Sequence, residues 1–293
     1  MERGAIPIES IPGGFDLQST LESGQTYRWD RDDGHIYDRT GAYGGTAWYH
    51  TVVDDEFIRA RQVDAHLEWT ATTDAVPLLT RLLRLNDDFD AIVDATPADP
   101  LIDEAYETYR GMRIVRDPFF PCLVSFICSA QMRVERIYEM QHTLAREYGR
   151  EHTVDGRTYH AFPEPADLAT VSEAALRDLK LGYRAPYVKA SAAMLADGEL
   201  VPEDLPNDYE AAREALTVLV GVGDKVADCV LLFSLGYLEA VPLDTWIQTA
   251  IDEYYPDCDR GSYAETSRAI RERFGPYAGY AQTYVFHHLR HSF

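Results

Sequence analysis

The pattern of apolar and polar residues divides the chain into two parts with different periodicities. Short aromatic or β-branched runs recur in the first part, at residues 24–29, 35–37, 47–53, 57–62 and 67–71. Clusters rich in glycine or aspartate separate these runs, at residues 32–34, 41–45 and 54–55. Runs of this kind between turn-forming clusters are typical of antiparallel strands. The pattern therefore predicts a small antiparallel β domain over residues 1–78.

In the second part the apolar residues recur at helical spacing. Together with capping signals they predict helices at residues 100–109, 118–130, 132–148, 185–196 and 276–289. Two capping boxes, Thr170 with Glu173 and Ser262 with Glu265, predict further helix starts. We therefore expect a mostly helical domain over residues 79–293 and an α+β fold class for the chain.

The most informative segment is a predicted pair of helices over residues 207–235. The turn between them contains Gly221, Val222 and Gly223, and the second helix begins at about residue 224. Glycine permits backbone conformations that other residues resist, and the first amides of the second helix have no partner within that helix, so they favour an anion. A helix-hairpin-helix of this kind predicts a grip on one nucleic-acid phosphate, although Gly-x-Gly also precedes many helices that bind no phosphate.

The composition indicates a globular protein with an acidic charge balance. Hydrophobic residues make up 46% of the 293 residues and aromatic residues 12%, which allows a substantial core. The net charge is −22, from 49 acidic and 27 basic residues. Acidic surfaces keep proteins soluble, and this balance predicts a cytoplasm with a high salt concentration. Because DNA-binding domains are usually basic, binding to DNA would require a local arginine-rich face.

Several classes of protein are not expected. The four cysteines, Cys122, Cys128, Cys229 and Cys258, lack the paired spacing of zinc or iron–sulfur ligands, so we expect no cofactor. The apolar stretches are too short to cross a bilayer, and the first ten residues do not resemble a signal peptide. We therefore expect a soluble, cytoplasmic protein that does not bind membranes and is a monomer.

Lys225 and Asp244 are the candidate catalytic pair. Lys225 lies in the first turn of the second hairpin helix, where the positive helix end and burial both disfavour the ammonium form. A neutral amine at this position can attack an electrophilic carbon, although such a lysine also suits a simple phosphate contact. Asp244 precedes a predicted helix and either caps it or acts on a sugar, by stabilising a developing cation or moving a proton. These residues alone leave the alternatives open.

Several motifs in one order resemble a known family of enzymes. Residues 219–246 resemble the hairpin and following segment of the helix-hairpin-helix (HhH-GPD) DNA glycosylase superfamily, and GVGDKVADC at residues 221–229 is similar to the eukaryotic-type 8-oxoguanine DNA glycosylase/lyases. Further matches are FDL at 15–17, GQ at 24–25, RW at 28–29, DP at 117–118, SFICS at 125–129, LGYR at 181–184 and GPYAGYAQ at 275–282. The resemblance covers residues 15–286.

The resemblance implies an enzyme that removes 8-oxoguanine from duplex DNA and then cleaves the strand. Lys225 matches the family's nucleophile, which attacks the sugar carbon that carries the damaged base, forms a Schiff base and leads to β-elimination. Asp244 matches the carboxylate that stabilises cationic character at the sugar.

The resemblance also implies a pocket for a base extruded from the duplex. Gly24 matches the residue whose carbonyl accepts a hydrogen bond from N7–H, a group that 8-oxoguanine has and guanine lacks. Gln282 matches the residue that binds the Watson–Crick edge of the base. Phe286, four positions later on the same helix face, matches the residue that stacks on one face of the base, and Cys229 the residue on the other.

Contacts to the rest of the DNA follow from the same resemblance. Arg136 and Arg184 match arginines that hold the cytosine opposite the lesion, and Tyr183 matches a residue that wedges into the opposite strand. Two positions depart from the family pattern: Gln131 begins a Gln-Met-Arg sequence where consecutive asparagines are usual, and Trp246 stands in place of a histidine that lies near a phosphate. These departures leave the preference for the opposite base open.

Two other functions remain possible at this stage, and so does an ion site. An alkylated-purine DNA glycosylase of the same fold would use Asp244 and water without lyase chemistry, which the presence of Lys225 disfavours. A non-catalytic helix-hairpin-helix DNA-binding protein would need neither residue. The hairpin carbonyls of Thr217, Leu219 and Val222 are candidates for a structural metal ion beside the phosphate.

Overall fold

The computed structural model describes residues 1–37 and 46–292, and it begins with an antiparallel sheet. The elements of this first part are β1 (Glu2–Pro7), α1 (Leu17–Glu22), β2 (Asp30–Arg31), β3 (Tyr49–Val53), β4 (Glu56–Val63) and β5 (His66–Ala71). The five strands are hydrogen-bonded in the order β1-β5-β4-β3-β2. Strands β3, β4 and β5 confirm three of the predicted runs.

The sheet is covered on both faces, which explains the two adjacent buried residues in β4. Ile58 packs with Leu17 and Leu21 of α1 in one core. Phe57, whose side chain points to the opposite face, packs with Val154 from a later hairpin in a separate small cluster. A strand buried on both faces loses the strict apolar–polar alternation of a half-exposed strand.

Two of the runs that were predicted to be strands in this part are not strands. Residues 24–29 form a loop, and pairing begins only at Asp30, because Gly24 has a positive φ of 89° that breaks an extended conformation. Residues 35–37 also lack pairing, and Tyr37 has a φ of 57°. The predicted glycine-rich separator at 41–45 lies outside the described residues.

Two elements of this part carry little sequence signal and were not predicted. Strand β1 pairs with β5 along its whole length, although it contains only one large aliphatic residue, Ile6. Helix α1 is six residues long and is capped by Asp16, whose Oδ1 accepts a hydrogen bond from the Ser19 amide at 2.6 Å. Elements this short offer too few positions for a period to appear.

The second part is mostly helical, as predicted. Its first elements are α2 (Val76–Leu82), α3 (Phe89–Ala95), α4 (Pro100–Thr108), α5 (Phe119–Cys128), α6 (Val134–Tyr148), β6 (Glu151–Val154) and β7 (Arg157–His160). The remaining helices are α7 (Pro165–Thr170), α8 (Glu173–Leu176), α9 (Ala185–Ala196), α10 (Tyr209–Leu216), α11 (Asp224–Val230), α12 (Thr245–Tyr254), α13 (Tyr263–Phe274) and α14 (Ala278–Ser292). The two-stranded hairpin β6–β7 was not predicted.

One of the two helix starts predicted from a capping box is correct. Ser262 precedes α13, and its Oγ accepts a hydrogen bond from the Glu265 amide at 3.4 Å. Thr170 is wrong as a helix start, because it ends α7, which begins at Pro165. The cap of the next helix is Ser172, whose Oγ accepts from the Ala175 amide at 3.1 Å.

The predicted helix pair is confirmed by α10 and α11. Asp208 caps α10 by accepting a hydrogen bond from the Ala211 amide at 2.9 Å, and α11 continues as one wide helical turn over Leu231–Leu235. The expected domain boundary between residues 78 and 79 falls within α2 and stays a prediction. None of the helices in the described residues has the length and apolar content needed to cross a bilayer.

Candidate active site

A cavity of about 1140 Å³ opens between the loop after α1, the loop between α5 and α6, helix α11 and the last helix, α14. Eight of the residues expected to contact DNA or the damaged base line this cavity: Gly24, Gln131, Lys225, Cys229, Asp244, Trp246, Gln282 and Phe286. The other candidates among the described residues lie outside its lining: Arg136, Tyr183, Arg184, Thr217, Leu219, Gly221, Val222 and Gly223.

Lys225 extends from the first turn of α11 toward the end of α5. Its Nζ donates a hydrogen bond to Ser129 Oγ at 3.0 Å and lies 5.2 Å from the ring centroid of Phe126. The Ser129 hydroxyl in turn donates to the carbonyl of Phe126 at 2.7 Å. Because the serine proton is committed to that carbonyl, the serine oxygen acts as an acceptor toward the lysine. The amine is therefore held at the cavity wall by a contact that suits both its charged and its neutral form.

Asp244 lines the cavity that contains Lys225 and also caps a helix. It precedes α12 as the N-cap residue, and its Oδ1 accepts a hydrogen bond from the Ile247 amide at 2.9 Å. Burial raises the pKa of this carboxyl, while the charge of Lys225 and the amides of Ile247 and Trp246 oppose the rise. A carboxylate fixed by a helix end and lining the same cavity as an amine is suited to stabilise positive charge on a bound molecule.

Gly24 forms a closely packed part of the cavity wall. Its φ of 89° lies in the region that glycine tolerates and other residues resist. A Cβ at this position would lie 3.3 Å from both Phe286 Cε1 and Arg290 Nη1. The carbonyl oxygen of Gly24 accepts a hydrogen bond from the Tyr27 hydroxyl at 3.1 Å. A side chain at residue 24 would therefore both strain the loop and narrow the cavity.

Helix α14 presents consecutive turns to the cavity. Gln282 and Phe286 lie four residues apart and share one helix face, and Gln282 is only 4% exposed. Arg290, one turn further, places its guanidinium 5.7 Å from the centroid of the Phe286 ring and donates to the carbonyl of Glu22 at 2.6 Å. The C-terminal helix is thereby tied to the end of α1, directly before the loop that carries Gly24.

Cys229 lies one turn after Lys225 on α11 and lines the same cavity. Burial raises the pKa of its thiol to about 12, although the charge of Lys225 and a hydrogen bond with it act in the opposite direction. The thiol is therefore neutral at physiological pH. A neutral, polarisable sulfur is suited to packing against the face of a flat ligand.

The two glycines of the hairpin turn, Gly221 and Gly223, differ in the space around them. Gly221 has a φ of 86°, and a Cβ built there would lie 2.6 Å from Tyr187 Cβ, so the packing of the chain itself requires glycine. At Gly223, apart from the residue itself and its two chain neighbours, no atom of the described chain lies within 4 Å of a Cβ position. No backbone acceptor in the described residues bonds the amides of Gly223, Asp224 and Lys225. This face of the turn is open to an external acceptor.

The residues expected near the opposite DNA strand lie apart from the cavity lining. Arg136 pairs with Glu139 on the exposed face of α6. Arg184 is buried, donates to the carbonyl of Ala130 and lies 4.3 Å from the ring centroid of the half-exposed Tyr183. Arg184 thus supports the loop that carries Gln131, which has a φ of 54°.

The suggested carbonyl ion site is only partly defined by the fold. Thr217, Leu219 and Val222 share the turn between α10 and α11, and the carbonyl of Leu219 accepts a hydrogen bond from the Val222 amide at 3.1 Å. No group of three or more His, Cys, Asp or Glu side chains in the described residues is arranged to hold a metal ion. The backbone ion site stays a prediction.

Three residues of the site were missed by the sequence reasoning: Ser129, Tyr27 and Arg290. Ser129 belongs to the SFICS motif, but its contact with Lys225 joins residues 96 positions apart. Arg290 follows Phe286 at helical spacing, a signal that extends the same face by one turn. Tyr27 lies three residues after Gly24 within a loop. Loops have no periodic pattern from which its hydrogen bond to the Gly24 carbonyl could be predicted.

Two family models together match most of the chain. The model described as 8-oxoguanine DNA glycosylase, N-terminal domain, matches residues 7–123. The model described as HhH-GPD superfamily base excision DNA repair protein matches residues 124–276, which is more than half of the chain.

Relatives and solved structures agree with these matches. The chain is 31% identical to a Methanothermobacter thermautotrophicus protein named "Probable N-glycosylase/DNA lyase", over 98% of this chain and 96% of that one. It is 30% identical to the Arabidopsis thaliana N-glycosylase/DNA lyase OGG1, over 96% of this chain and 79% of the relative. The Clostridium acetobutylicum 8-oxoguanine glycosylase/lyase, solved with double-stranded DNA that contains cytosine opposite 8-oxoguanine, superposes with a TM-score of 0.81 at 26% identity and covers 95% of this chain and 92% of that one.

Proposed function

Because this chain belongs to the HhH-GPD superfamily of base excision DNA repair proteins, we propose that it excises 8-oxoguanine from duplex DNA and cleaves the strand at the resulting abasic site. One observation carries the proposal: Lys225 and Asp244 line a single cavity together with Gly24, Gln282 and Phe286. The cavity therefore combines a nucleophile, a charge stabiliser and groups suited to a purine. The N-glycosylase/DNA lyase names of the relatives support both activities.

Lys225 supplies the nucleophile. Its neutral amine attacks C1′ of the lesion nucleotide, so that a nitrogen–carbon bond forms as the glycosidic bond breaks and the base leaves with a proton. Ring opening of the sugar then gives a Schiff base between Nζ and C1′. Loss of a proton from C2′ expels the 3′ phosphate by β-elimination, and hydrolysis of the imine returns the free lysine.

Asp244 stabilises the positive charge that develops at the sugar as the base departs. Its carboxylate is held by the amide of Ile247, so it is already oriented when the charge appears and needs no reorganisation. Burial raises its pKa, so activity requires a pH at which this carboxyl is ionised.

The cavity wall selects the base. The Gly24 carbonyl accepts a hydrogen bond from N7–H of 8-oxoguanine and repels the N7 lone pair of guanine. Gln282 binds the Watson–Crick edge, while Phe286 and the neutral Cys229 thiol pack against opposite faces of the ring. Extruding a base from the duplex costs a few kcal/mol of unstacking free energy, and these contacts offset that cost.

The remaining candidates hold the duplex. The open face of the hairpin at Gly223 binds one phosphate through its amides. Gln131 fills the gap left by the extruded nucleotide. Arg136, Arg184 and Tyr183 act on the opposite strand. A guanidinium has five N–H donors, so each arginine can keep its contact with Glu139 or Ala130 while it binds a base.

Borohydride trapping tests this function. A duplex with one 8-oxoguanine opposite cytosine is incubated with enzyme and sodium borohydride, which reduces a Schiff base to a stable covalent complex. We expect the parent enzyme to be trapped, and Lys225→Gln to lose both trapping and strand cleavage while it retains its affinity for DNA. A parent that releases the base without being trapped would indicate the water-dependent glycosylase, and one that binds DNA without releasing a base would indicate a non-catalytic binding protein.

We propose further that the enzyme works as a monomer in a cytoplasm with a high salt concentration. The support for a high salt concentration is the net charge of −22, since an acidic surface repels DNA at low ionic strength and salt screens that repulsion. Base release measured from 0.1 M to 3 M KCl is expected to rise with salt before it falls. A monotonic loss of activity from the lowest concentration would contradict this.

A further inference from the structure

The carbonyl of Gly24, the one acceptor that distinguishes the two bases in the proposed function, already has a donor within the protein. The Tyr27 hydroxyl donates a hydrogen bond to this carbonyl oxygen at 3.1 Å. A carbonyl oxygen has two lone pairs, so the bond to Tyr27 occupies one and leaves the other for a ligand. The direction of the remaining lone pair depends on where Tyr27 holds the oxygen.

The position of the Tyr27 hydroxyl is fixed by the packing of its ring in the larger hydrophobic core. Its side chain is 3% exposed, and its ring packs between those of Tyr37 and Phe126 with centroid distances of 6.1 and 6.2 Å. Burial also raises the pKa of Tyr27 above its ordinary value, so the hydroxyl keeps its proton and can donate at physiological pH.

The following residue anchors the other side of the same peptide group. The side chain of Gln25 is buried, and its Nε2 donates to the carbonyl of Arg113 at 2.9 Å, while its Oε1 accepts from the amide of Val115 at 3.0 Å. The peptide that joins Gly24 and Gln25 is therefore fixed at its oxygen by one side chain and at its far end by another. Glycine alone would not hold this orientation, because it restricts the backbone least.

We propose that Tyr27 is a positioning residue that directs the Gly24 carbonyl into the base pocket and so contributes to the selection of 8-oxoguanine over guanine. The inference rests on the proposed function. Discrimination against guanine depends on repulsion between two acceptors, and that repulsion is lost if the carbonyl can turn away from the base. The hydrogen bond from the Tyr27 hydroxyl prevents this turn.

The test compares Tyr27→Phe with Tyr284→Phe in the full-length protein. Both substitutions remove one buried hydroxyl that donates to a backbone carbonyl, but Tyr284 bonds the carbonyl of Met112 at 2.7 Å, outside the cavity lining. Single-turnover base release is measured on a duplex with 8-oxoguanine opposite cytosine, and strand cleavage on a duplex with a preformed abasic site, which has no base for Gly24 to contact.

We expect Tyr27→Phe to slow release of 8-oxoguanine by about 3- to 10-fold, the equivalent of one lost hydrogen bond, and to leave abasic-site cleavage unchanged. In a Lys225→Gln background, Tyr27→Phe should lower the binding preference for the 8-oxoguanine duplex over the guanine duplex by a similar factor. Tyr284→Phe should change neither the two rates nor, in that background, the preference.

Three outcomes would overturn the inference. In the first, Tyr27→Phe matches the parent in base release and binding preference. In the second, it slows base release and abasic-site cleavage equally, which indicates a general effect on the fold. In the third, Tyr284→Phe gives the same pattern as Tyr27→Phe. A parent enzyme that releases no 8-oxoguanine overturns the proposed function itself, and the inference falls with it.

Discussion

The amine of Lys225 and the hydroxyl of Ser129 form a hydrogen bond of 3.0 Å between residues that are 96 positions apart in the chain. It connects the second hairpin helix, which carries the proposed nucleophile, to the end of α5, where the loop that carries Gln131 begins. A long lysine side chain has considerable rotamer freedom, and this bond removes much of it.

Loss of the Ser129 hydroxyl should therefore disturb the orientation of the Lys225 amine and leave DNA binding largely unaffected. We expect Ser129→Ala to slow borohydride trapping and abasic-site cleavage by about 3- to 10-fold, the scale of one hydrogen bond, with little change in DNA affinity. Ser129→Thr keeps a hydroxyl at this position and should retain most of the activity. Equal trapping rates for Ser129→Ala and the parent would show that the bond does not orient the amine.

The charge of Asp244 can be separated from its capping role. Asn is as good an N-cap residue as Asp, so Asp244→Asn should preserve α12 and the thermal stability of the protein. Base release should fall by about 100-fold, as expected for the loss of a preorganised charge, while DNA affinity stays nearly constant. Asp244→Ala should lose the cap as well and unfold at a lower temperature. Unchanged turnover in Asp244→Asn would remove the carboxylate from the mechanism.

The two hairpin glycines form a matched pair for substitution. Gly221→Ala places a methyl group against Tyr187 at a position with a φ of 86°, and we expect it to destabilise the fold by about 1–3 kcal/mol. Gly223→Ala meets nothing within 4 Å in the described chain and should leave the melting temperature unchanged.

The same pair distinguishes folding from DNA binding. Because a methyl group at residue 223 would stand on the open face of the turn, we expect Gly223→Ala to weaken binding to undamaged duplex DNA by several-fold. Thermal unfolding and a fluorescence binding titration measure the two effects. A Gly223→Ala variant that binds as tightly as the parent would place the phosphate elsewhere.

Asp228 predicts a pH dependence of stability. Burial raises the pKa of this carboxyl from 3.8 to about 7, against the opposing effects of hydrogen bonds from Tyr209 and Tyr263 and of the charge of Arg213. The folded chain therefore binds this proton more tightly than the unfolded chain. The stability that this group contributes is fully present below about pH 4, is lost as the pH rises to about 7, and changes no further above it.

Asp228→Asn removes that titration. Urea unfolding of the parent and the variant at intervals from pH 4 to pH 8 should show a free-energy difference that shifts in favour of the variant as the pH rises to about 7 and is constant above it. A difference that does not vary with pH would mean that the folded carboxyl titrates like an exposed one.

Most helices were predictable because they are long enough to show a period. Helices α4, α6 and α14 begin and end within two or three residues of the sequence prediction, and the family and fold class are confirmed by the comparisons. Elements of a few residues, such as α1 and β1, have too few apolar positions to be recognised. Residues 24–29 misled the prediction because the same aromatic residues that favour strands also fill the cores on either side of a loop.

The residues of the candidate site could be predicted only where they lie within a recognisable sequence motif. Lys225, Cys229 and Asp244 lie in one continuous segment, and Gln282 and Phe286 share one helix, so motif and spacing together indicated them. The supporting contacts of Ser129 and Tyr27 depend on how distant segments pack, which no local pattern encodes. The buried position of Arg184 was likewise unexpected, because an arginine in an acidic chain is usually paired at the surface.

Gln25, next to Gly24, connects the two parts of the molecule, because its side chain bonds the backbone of Arg113 and Val115. Gly24, whose carbonyl we propose distinguishes the two bases, belongs to the first part, whereas the proposed nucleophile Lys225 and the other pocket residues Cys229, Gln282 and Phe286 lie on helices of the second. If this contact were weakened, we expect the chain to keep cleaving abasic sites but to lose the ability to distinguish 8-oxoguanine from guanine.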